Sequence, residues 1–297
     1  MTQIQELGKW NKNLLFIKRE DLIPYSFGGN KARKGLLFFE YIDAGDYDTV
    51  VTYGSSHSNH CRVVANMAAA RGMKCIIIGP EEVSEETYNS RMMKLFGAQI
   101  ITAPVDQVHD LIENELERLR EAGRKPYFIP GGGHGNIGTK AYVQCYEEIR
   151  EQGVFDYIFF ASGTGTTHAG LVCGKLKHGD DVNIIGISIA RKNPRGRRVV
   201  LDSIEEYLGA HPDAEAATIF IDDYIGEGYG RETEEIEETI KEVLIQYGIP
   251  LDSTYTAKAF LGMKKYISKQ NVTGKNILFI HTGGTPLFFD DLKNLER

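Results

Sequence analysis

The run DYIFFASGTGTTHAGLVCGKLK, Asp156 to Lys177, decides how the rest of the chain is read. It opens with β-forming residues, turns through Gly163 and Gly165, and continues with helical spacing. A strand feeding a helix through a glycine turn is half of a βαβ unit. Glycines at such a turn let backbone N–H groups converge, and a helix N-terminus favours an anion. Thr164, Thr166 and Thr167 add hydroxyls. A glycine-rich turn is common in any parallel sheet, but this density of glycine and hydroxyl favours a phosphate cradle. The next strand, NIIGISIA (183–190), ends in Ala190 and Arg191. It lacks the acidic residue that would hold a dinucleotide ribose. The glycine spacing also misses G-x-G-x-x-G, and no Walker lysine follows. One phosphate fits better than NAD or ATP.

Working outward, the same alternation continues. DTVVTYG (48–54), KCIIIG (74–79), AQIITAP (98–104) and PYFIP (126–130) read as strands. SNHCRVVANMAAARGM (58–73), EETYNSRMMKLFGA (85–98) and DQVHDLIENELERLREAG (106–123) read as helices between them. After GGGHGN (131–136) comes a helical TKAYVQCYEEIREQ (139–152). Further on lie an acidic helix, ETEEIEETIKEVLIQY (232–247), and a last strand with a glycine turn, NILFIHTGG (276–284). Strand and helix in turn imply an α/β chain with two lobes, each an open twisted sheet flanked by helices. Residues 35–145 are expected to form the smaller lobe. Residues 1–34 plus 146–297 are expected to form the larger, so the lobes are not cut sequentially.

The bulk numbers agree with this class. The chain has 297 residues, 42% hydrophobic and 25% charged, which suits a soluble globule of two modest domains or one large α/β unit. A net charge of −7 disfavours nucleic acid, which needs a basic face. The short basic cluster RKNPRGRR (191–198) reads as a solvated loop. Cys61, Cys75, Cys145 and Cys173 show no CxxC spacing and read as buried free thiols. That usage fits a reducing compartment. With no apolar leader and no bilayer-length run, the cytoplasm is the expected address and no membrane partner is expected.

Several short segments carry candidate chemistry. In SFGGNKARK (26–34), two glycines and an asparagine stand before Lys31. Most lysines are solvated surface charges. Burial or a cationic neighbour would instead lower its pKa and free the lone pair for a carbonyl. In SSHSNHCR (55–62), Ser58 and Asn59 could bind a carboxylate or a phenolic oxygen, and His60 could move protons. Helix capping would explain one such residue, not the whole polar run. GEGYG (226–230), DSTYTAKA (252–259) and HTGGTP (281–286) are each, singly, turns. Their Tyr229 and Tyr255 could be core aromatics, and Thr256 and Thr282 strand-end residues.

Taken in order, KRED, GGNKARK, SNHCR, PYFIPGGG, SGTGTTHAGL, GYG, YTAKA and HTGGTP form a series. It resembles the pyridoxal-phosphate enzymes grouped as D-cysteine desulfhydrases and 1-aminocyclopropane-1-carboxylate deaminases, of the tryptophan-synthase-β-like fold. The resemblance covers nearly the whole chain. It implies pyridoxal 5'-phosphate as cofactor, joined covalently to Lys31, with Gly28, Gly29 and Asn30 presenting that lysine. It implies that Gly163, Thr164, Gly165, Thr166 and Thr167 hold the phosphate, with Lys34 adding positive charge. Asn59 would bond the ring hydroxyl. Ser58 and His60 would face the substrate, with Tyr229 and Tyr255 lining its side. A homodimer is usual in this fold.

Two chemistries compete within the family. The deaminase pattern has a glutamate after the tyrosine of Y-E-G-K, to pair with the pyridine nitrogen. Here the residue after Tyr255 is Thr256, as in the desulfhydrase pattern, and Thr282 is a second candidate near that nitrogen. A neutral partner makes a weaker electron sink, which suits β-elimination. The implied reaction is elimination from a small amino acid, D-cysteine first, with Lys31 taking the Cα proton. Departures from the family pattern surround the substrate: His57 for glutamine, DSTYTAKA for D-P-V-Y-T-G-K-A, and RET for L-P-N after GYG. They keep open 1-aminocyclopropane-1-carboxylate deamination, β-replacement on another β-substituted amino acid, and a binder without turnover.

Overall fold

Long apolar runs become strands covered on both faces, and the glycine turns after them set where helices begin. The computed structural model describes residues 1–226 and 233–295. A hairpin opens the chain, β1 (Ile4–Trp10) and β2 (Asn13–Lys18), turned through Asn11 and Lys12 at positive φ. Then follow α1 (Asn30–Asp43), β3 (Thr49–Tyr53), α2 (Asn59–Ala69), β4 (Lys74–Pro80), α3 (Tyr88–Leu95), β5 (Gln99–Ala103), α4 (Val108–Glu121), β6 (Pro126–Ile129) and α5 (Asn136–Gln152). The chain continues through β7 (Tyr157–Ser162), α6 (Thr166–His178), β8 (Asn183–Ser188), α7 (Arg195–Leu208), the short α8 (Ala214–Ala217) and β9 (Ile219–Ile221). It ends with α9 (Glu234–Tyr247), α10 (Thr256–Lys269), β10 (Asn276–Ile280) and α11 (Thr285–Leu295).

The strands form two sheets. One has the order β5-β4-β3-β6 and is parallel throughout. The other has the order β1-β2-β10-β7-β8-β9; only β1 runs antiparallel. Inner strands such as β4 and β7 are buried on both faces, as crossover helices require. Ile185, Ile187 and Phe279 pack with Ile240, Val243, Phe260 and Met263 on one side of the larger sheet. Ile158, Phe160 and Ile184 pack with Tyr142, Leu171 and Val200 on the other. Each sheet reverses its strand order once, between β3 and β6 and between β7 and β10. Ligands of open α/β sheets bind outside the carboxyl ends of strands at such reversals.

The KRED run is largely buried against α1 and α5. Lys18 and Glu20 are inaccessible, and with Arg33 of α1 and Glu148 of α5 they form one ionic network. Arg33 bonds Glu20 at 2.8 Å and Glu148 at 2.9 and 2.8 Å, while Lys18 reaches Glu148 at 3.0 Å. Alternating signs let Lys18 and Glu20 be buried, beside the half-buried Arg33 and Glu148, where a lone charge would be prohibitive.

The structure corrects one loop. RKNPRGRR does not stay irregular: α7 starts at Arg195, with Pro194 as its cap residue. A proline at a helix start removes a donor that the helix would leave unpaired anyway. Arg191 is not spent on solvent either, for its Nη1 donates to Gly163 O at 2.9 Å. Among the described residues, no helix is long and apolar enough to cross a membrane.

Candidate active site

The carboxyl ends of β3, β6, β7 and β10 converge with the start of α1. Before α1 the backbone takes positive φ at Ser26, Phe27, Gly28 and Gly29. At Gly28 (φ 61°) a Cβ would lie 2.2 Å from Asp21 O, and at Gly29 (φ 91°) 2.7 Å from Thr282 O. Only glycine allows this tight path. Asn30 N then donates to Thr282 O at 2.9 Å, which ties the loop to the end of β10. These contacts aim the first turn of α1 at the cleft. The Lys31 amine donates to Gly132 O, beyond β6, at 3.1 Å. Burial of that amine lowers its pKa to about 8, with Cys61 a small opposing influence.

Across the cleft, Gly165 (φ 104°) lets β7 turn into α6. The first N–H groups of α6 have no partners within the helix, and Thr167 and His168 of that first turn line the cleft. Lys34, one turn after Lys31, is buried and donates from Nζ to Thr166 Oγ1 at 2.6 Å. Burial drives its pKa well below the ordinary lysine value, and the charge of Lys31 pushes the same way. Asn30 Nδ2 donates to Thr167 Oγ1 at 3.2 Å, so α1 and α6 are joined at their starts.

A pocket of about 450 Å³, counted out to its mouth, lies between these ends. Lys31, Asn59, Gly163, Thr164, Gly165, Thr167, Tyr255 and Thr282 line it. Thr166 and Lys34 sit behind the glycine turn and not on its wall. Ser58 caps α2, its Oγ accepting from Cys61 N at 3.1 Å, so the ordinary capping role is realised there. His60 is off the wall as well, contrary to its expected place facing the substrate. Thr52 donates its hydroxyl to Ile129 O at 2.7 Å, so His60 Nε2 must donate to Thr52 Oγ1 at 2.9 Å. Burial, then Lys31 and Lys34, drive the His60 pKa well below normal, leaving a neutral ring turned into the smaller sheet.

Thr256 also differs from its expected place. Its hydroxyl donates to Asp252 Oδ2 at 2.7 Å and accepts from Asp252 N at 2.8 Å, and it does not line the pocket. Of the two threonines expected near the ring nitrogen, Thr282 is the one on the wall. Tyr229 lies outside the described residues.

Other residues escaped the sequence reading. Asp252 is inaccessible and accepts from the backbone N–H of Tyr255 and Thr256 at the start of α10. Burial raises its pKa, against the pull of the Thr256 hydrogen bonds. An aspartate just ahead of a helix was the available signal. His168, inside the THAGL motif, also lines the pocket, as does Asn30, which was expected only to present Lys31. Asn89, in α3, reaches Asn59 from a helix with no polar motif to announce it.

The residues fit an aldehyde that carries one phosphate. An amine lowered to about 8 can attack a carbonyl near neutral pH. The turn at the start of α6 suits a phosphate. Gly132 keeps the approach open: a Cβ there would meet Thr164 Cγ2 at 2.7 Å and Lys31 Nζ at 3.3 Å. The class follows from comparison as well as geometry. A family model described as pyridoxal-phosphate dependent enzyme matches residues 1–283, and the chain belongs to that family. Its cofactor is pyridoxal phosphate. Among particular relatives, the chain is 34% identical over 318 residues to a D-cysteine desulfhydrase of Serratia proteamaculans, covering 97% of this chain and 92% of that protein. It is 33% identical over 304 residues to a putative 1-aminocyclopropane-1-carboxylate deaminase of Pyrococcus abyssi, covering 97% and 90%. A solved structure of an ACC deaminase homologue superposes with a TM-score of 0.86 at 32% identity, covering 99% of this chain and 93% of that one.

Proposed function

We propose that Lys31 holds the cofactor and that the enzyme eliminates a β-substituent from a small amino acid, D-cysteine foremost. The observation that carries this reading is the wall around Lys31. It joins a lowered lysine amine to a phosphate-type turn, and no described residue on it is acidic. Pyridoxal phosphate supplies an electron sink for charge that develops at Cα. Beside a neutral Thr282 that sink is weaker than beside a carboxylate. Elimination tolerates a weak sink, because the leaving sulfur takes the electron pair promptly. Asp252, the carboxylate behind the wall, has its oxygens engaged by Tyr255 and Thr256.

The roles of the chain's own groups follow. The α6 turn anchors the phosphate side, and Lys34 holds Thr166 behind that turn. Asn59 presents its amide to the ring. The neutral Lys31 amine removes the Cα proton, and Tyr255 lies on the substrate side of the pocket. The net reaction consumes water: D-cysteine gives pyruvate, ammonia and hydrogen sulfide. The desulfhydrase and deaminase relatives stand at nearly equal identity, so names alone do not choose between the two substrates.

A substrate panel tests the choice. D-cysteine is expected to yield pyruvate, ammonia and sulfide in equal amounts, with β-chloroalanine also turned over. Keto acid from 1-aminocyclopropane-1-carboxylate, with none from D-cysteine, would transfer the protein to ring opening. Lys31→Ala is expected to be colourless. Borohydride is expected to bleach the parent and label Lys31.

A further inference from the structure

Asn59 does not orient itself. Its Oδ1 accepts from Asn89 Nδ2 at 3.0 Å and from Arg62 Nη2 at 3.3 Å. An oxygen facing two donors cannot be exchanged with the NH₂ of the same amide, so Nδ2 is the atom left to the pocket. Asn89 is itself held the same way round, because Nδ2 also donates to His57 O at 3.0 Å.

Arg62 does more than touch Asn59. It is inaccessible to solvent, and among the described residues no carboxylate pairs with it. Its Nη1 donates to Ser26 O and, at 3.1 Å, to Ser26 Oγ. The Phe27 ring lies 5.7 Å from its Cζ. Ser26 and Phe27 open the positive-φ loop that delivers Lys31. One planar fork therefore grips that loop with one nitrogen and Asn59 with the other. Arg62 Nε and Asn89 Oδ1 are buried without partners, so this cluster retains unsatisfied polar atoms that simple packing would remove. A buried cation without a counter-ion is costly, and aliphatic residues of similar volume often replace buried charges without loss of stability.

We infer that Arg62 is a positioning residue: with Asn89 it braces Asn59 against the Lys31 loop, fixing the amide donor relative to the lysine. This rests on the reading that Lys31 holds pyridoxal phosphate and that Asn59 bonds its ring hydroxyl. A lysine at 62 would keep the charge but lacks the fork that reaches both partners.

The test uses the full chain loaded with pyridoxal phosphate, in Arg62→Met, Asn59→Ala, the double variant, Arg62→Lys and Asn89→Ala. Three readouts are taken: the visible spectrum of the bound cofactor against pH, cofactor retention on dilution, and borohydride labelling of Lys31. Each single variant is expected to shift the spectral midpoint in the same direction and to weaken retention about tenfold, the loss of one oriented hydrogen bond. The double variant is expected to be no worse than Asn59→Ala alone, because Arg62 acts through Asn59. Arg62→Lys is expected not to restore the parent spectrum. Additive losses, full rescue by lysine, or a parent-like Arg62→Met would overturn the brace. If Arg62→Met fails to fold, Arg62→Lys takes its place in the cycle with Asn59→Ala, and additive losses there overturn the brace. Absence of label at Lys31 in the parent would sink the covalent reading itself. Label in every protein with unchanged spectra would sink only the brace.

Discussion

At the scale of single residues, the site depends on how burial sets charge. Lys31 and Lys34 are neighbours on one helix face, and both are pushed toward the neutral amine by burial. They end with different tasks because only Lys31 lines the pocket, while Lys34 is bonded to Thr166. Lys31 falls to about 8, so its reactive fraction rises through that pH. The rate at which cofactor-free protein captures pyridoxal phosphate should therefore climb with pH and level off above about 8. Stopped-flow absorbance measures this; a rate independent of pH across that range would contradict the lowered amine. The same shift has a sign for stability. Between about 8 and the usual lysine value of about 10.4, the unfolded chain holds a proton that the folded chain has released. This group's contribution thus makes the cofactor-free protein more stable as pH rises across that window.

At the scale of elements, the start of α1 is where local geometry decides chemistry. Gly29 holds φ 91° with its Cα face against the β10 end. Gly29→Ala would place a methyl 2.7 Å from Thr282 O and strain the backbone as well. The expected cost is about 1–3 kcal/mol in chemical unfolding. Cofactor affinity should drop more than stability alone accounts for, since Lys31 lies in the turn that moves. An alanine variant as stable as the parent would show that the loop has another path. GGNK alone left a solvated lysine as the simpler reading, and its place in the ordered series of motifs is what singled it out. Sequence reading could not tell that the glycines are needed for contact with β10, because Gly29 and Thr282 are far apart along the chain. The α2 start shows the converse. Its polar run was legible, but which residues face the cleft depended on the neighbours. Thr52 and Ile129 claim His60, and Cys61 claims Ser58, which leaves Asn59 on the wall.

At the scale of the whole molecule, the network of Lys18, Glu20, Arg33 and Glu148 joins the hairpin, α1 and α5 behind the site. Burial alone would raise the Glu148 pKa, but hydrogen bonds and charge from Arg33 and Lys18 overcome it and lower it to about 2. Its stabilising contribution is full above the usual glutamate value of about 4.3 and is lost as pH falls toward about 2. Urea unfolding followed down through that window should show this acid loss. Glu148→Gln should flatten it and cost about 3 kcal/mol at neutral pH, because two buried cations would then share Glu20. A variant with the parent's acid profile would show that the network does not carry this stability.

Chain order and local chemistry were enough to determine the alternation of strand and helix and the glycine- and hydroxyl-rich turn after β7, while the role of Lys31, in the first turn of α1, came from the family resemblance. These signals are local: apolar period, glycine punctuation and hydroxyl density act within a few residues of one another. Only the tertiary structure decided that Thr282 and not Thr256 reaches the wall, that His60 turns away, and that a buried arginine and an asparagine from another helix orient Asn59. Those outcomes depend on hydrogen-bond partners from distant strands and helices competing for the same atoms, and no spacing along the chain records who wins.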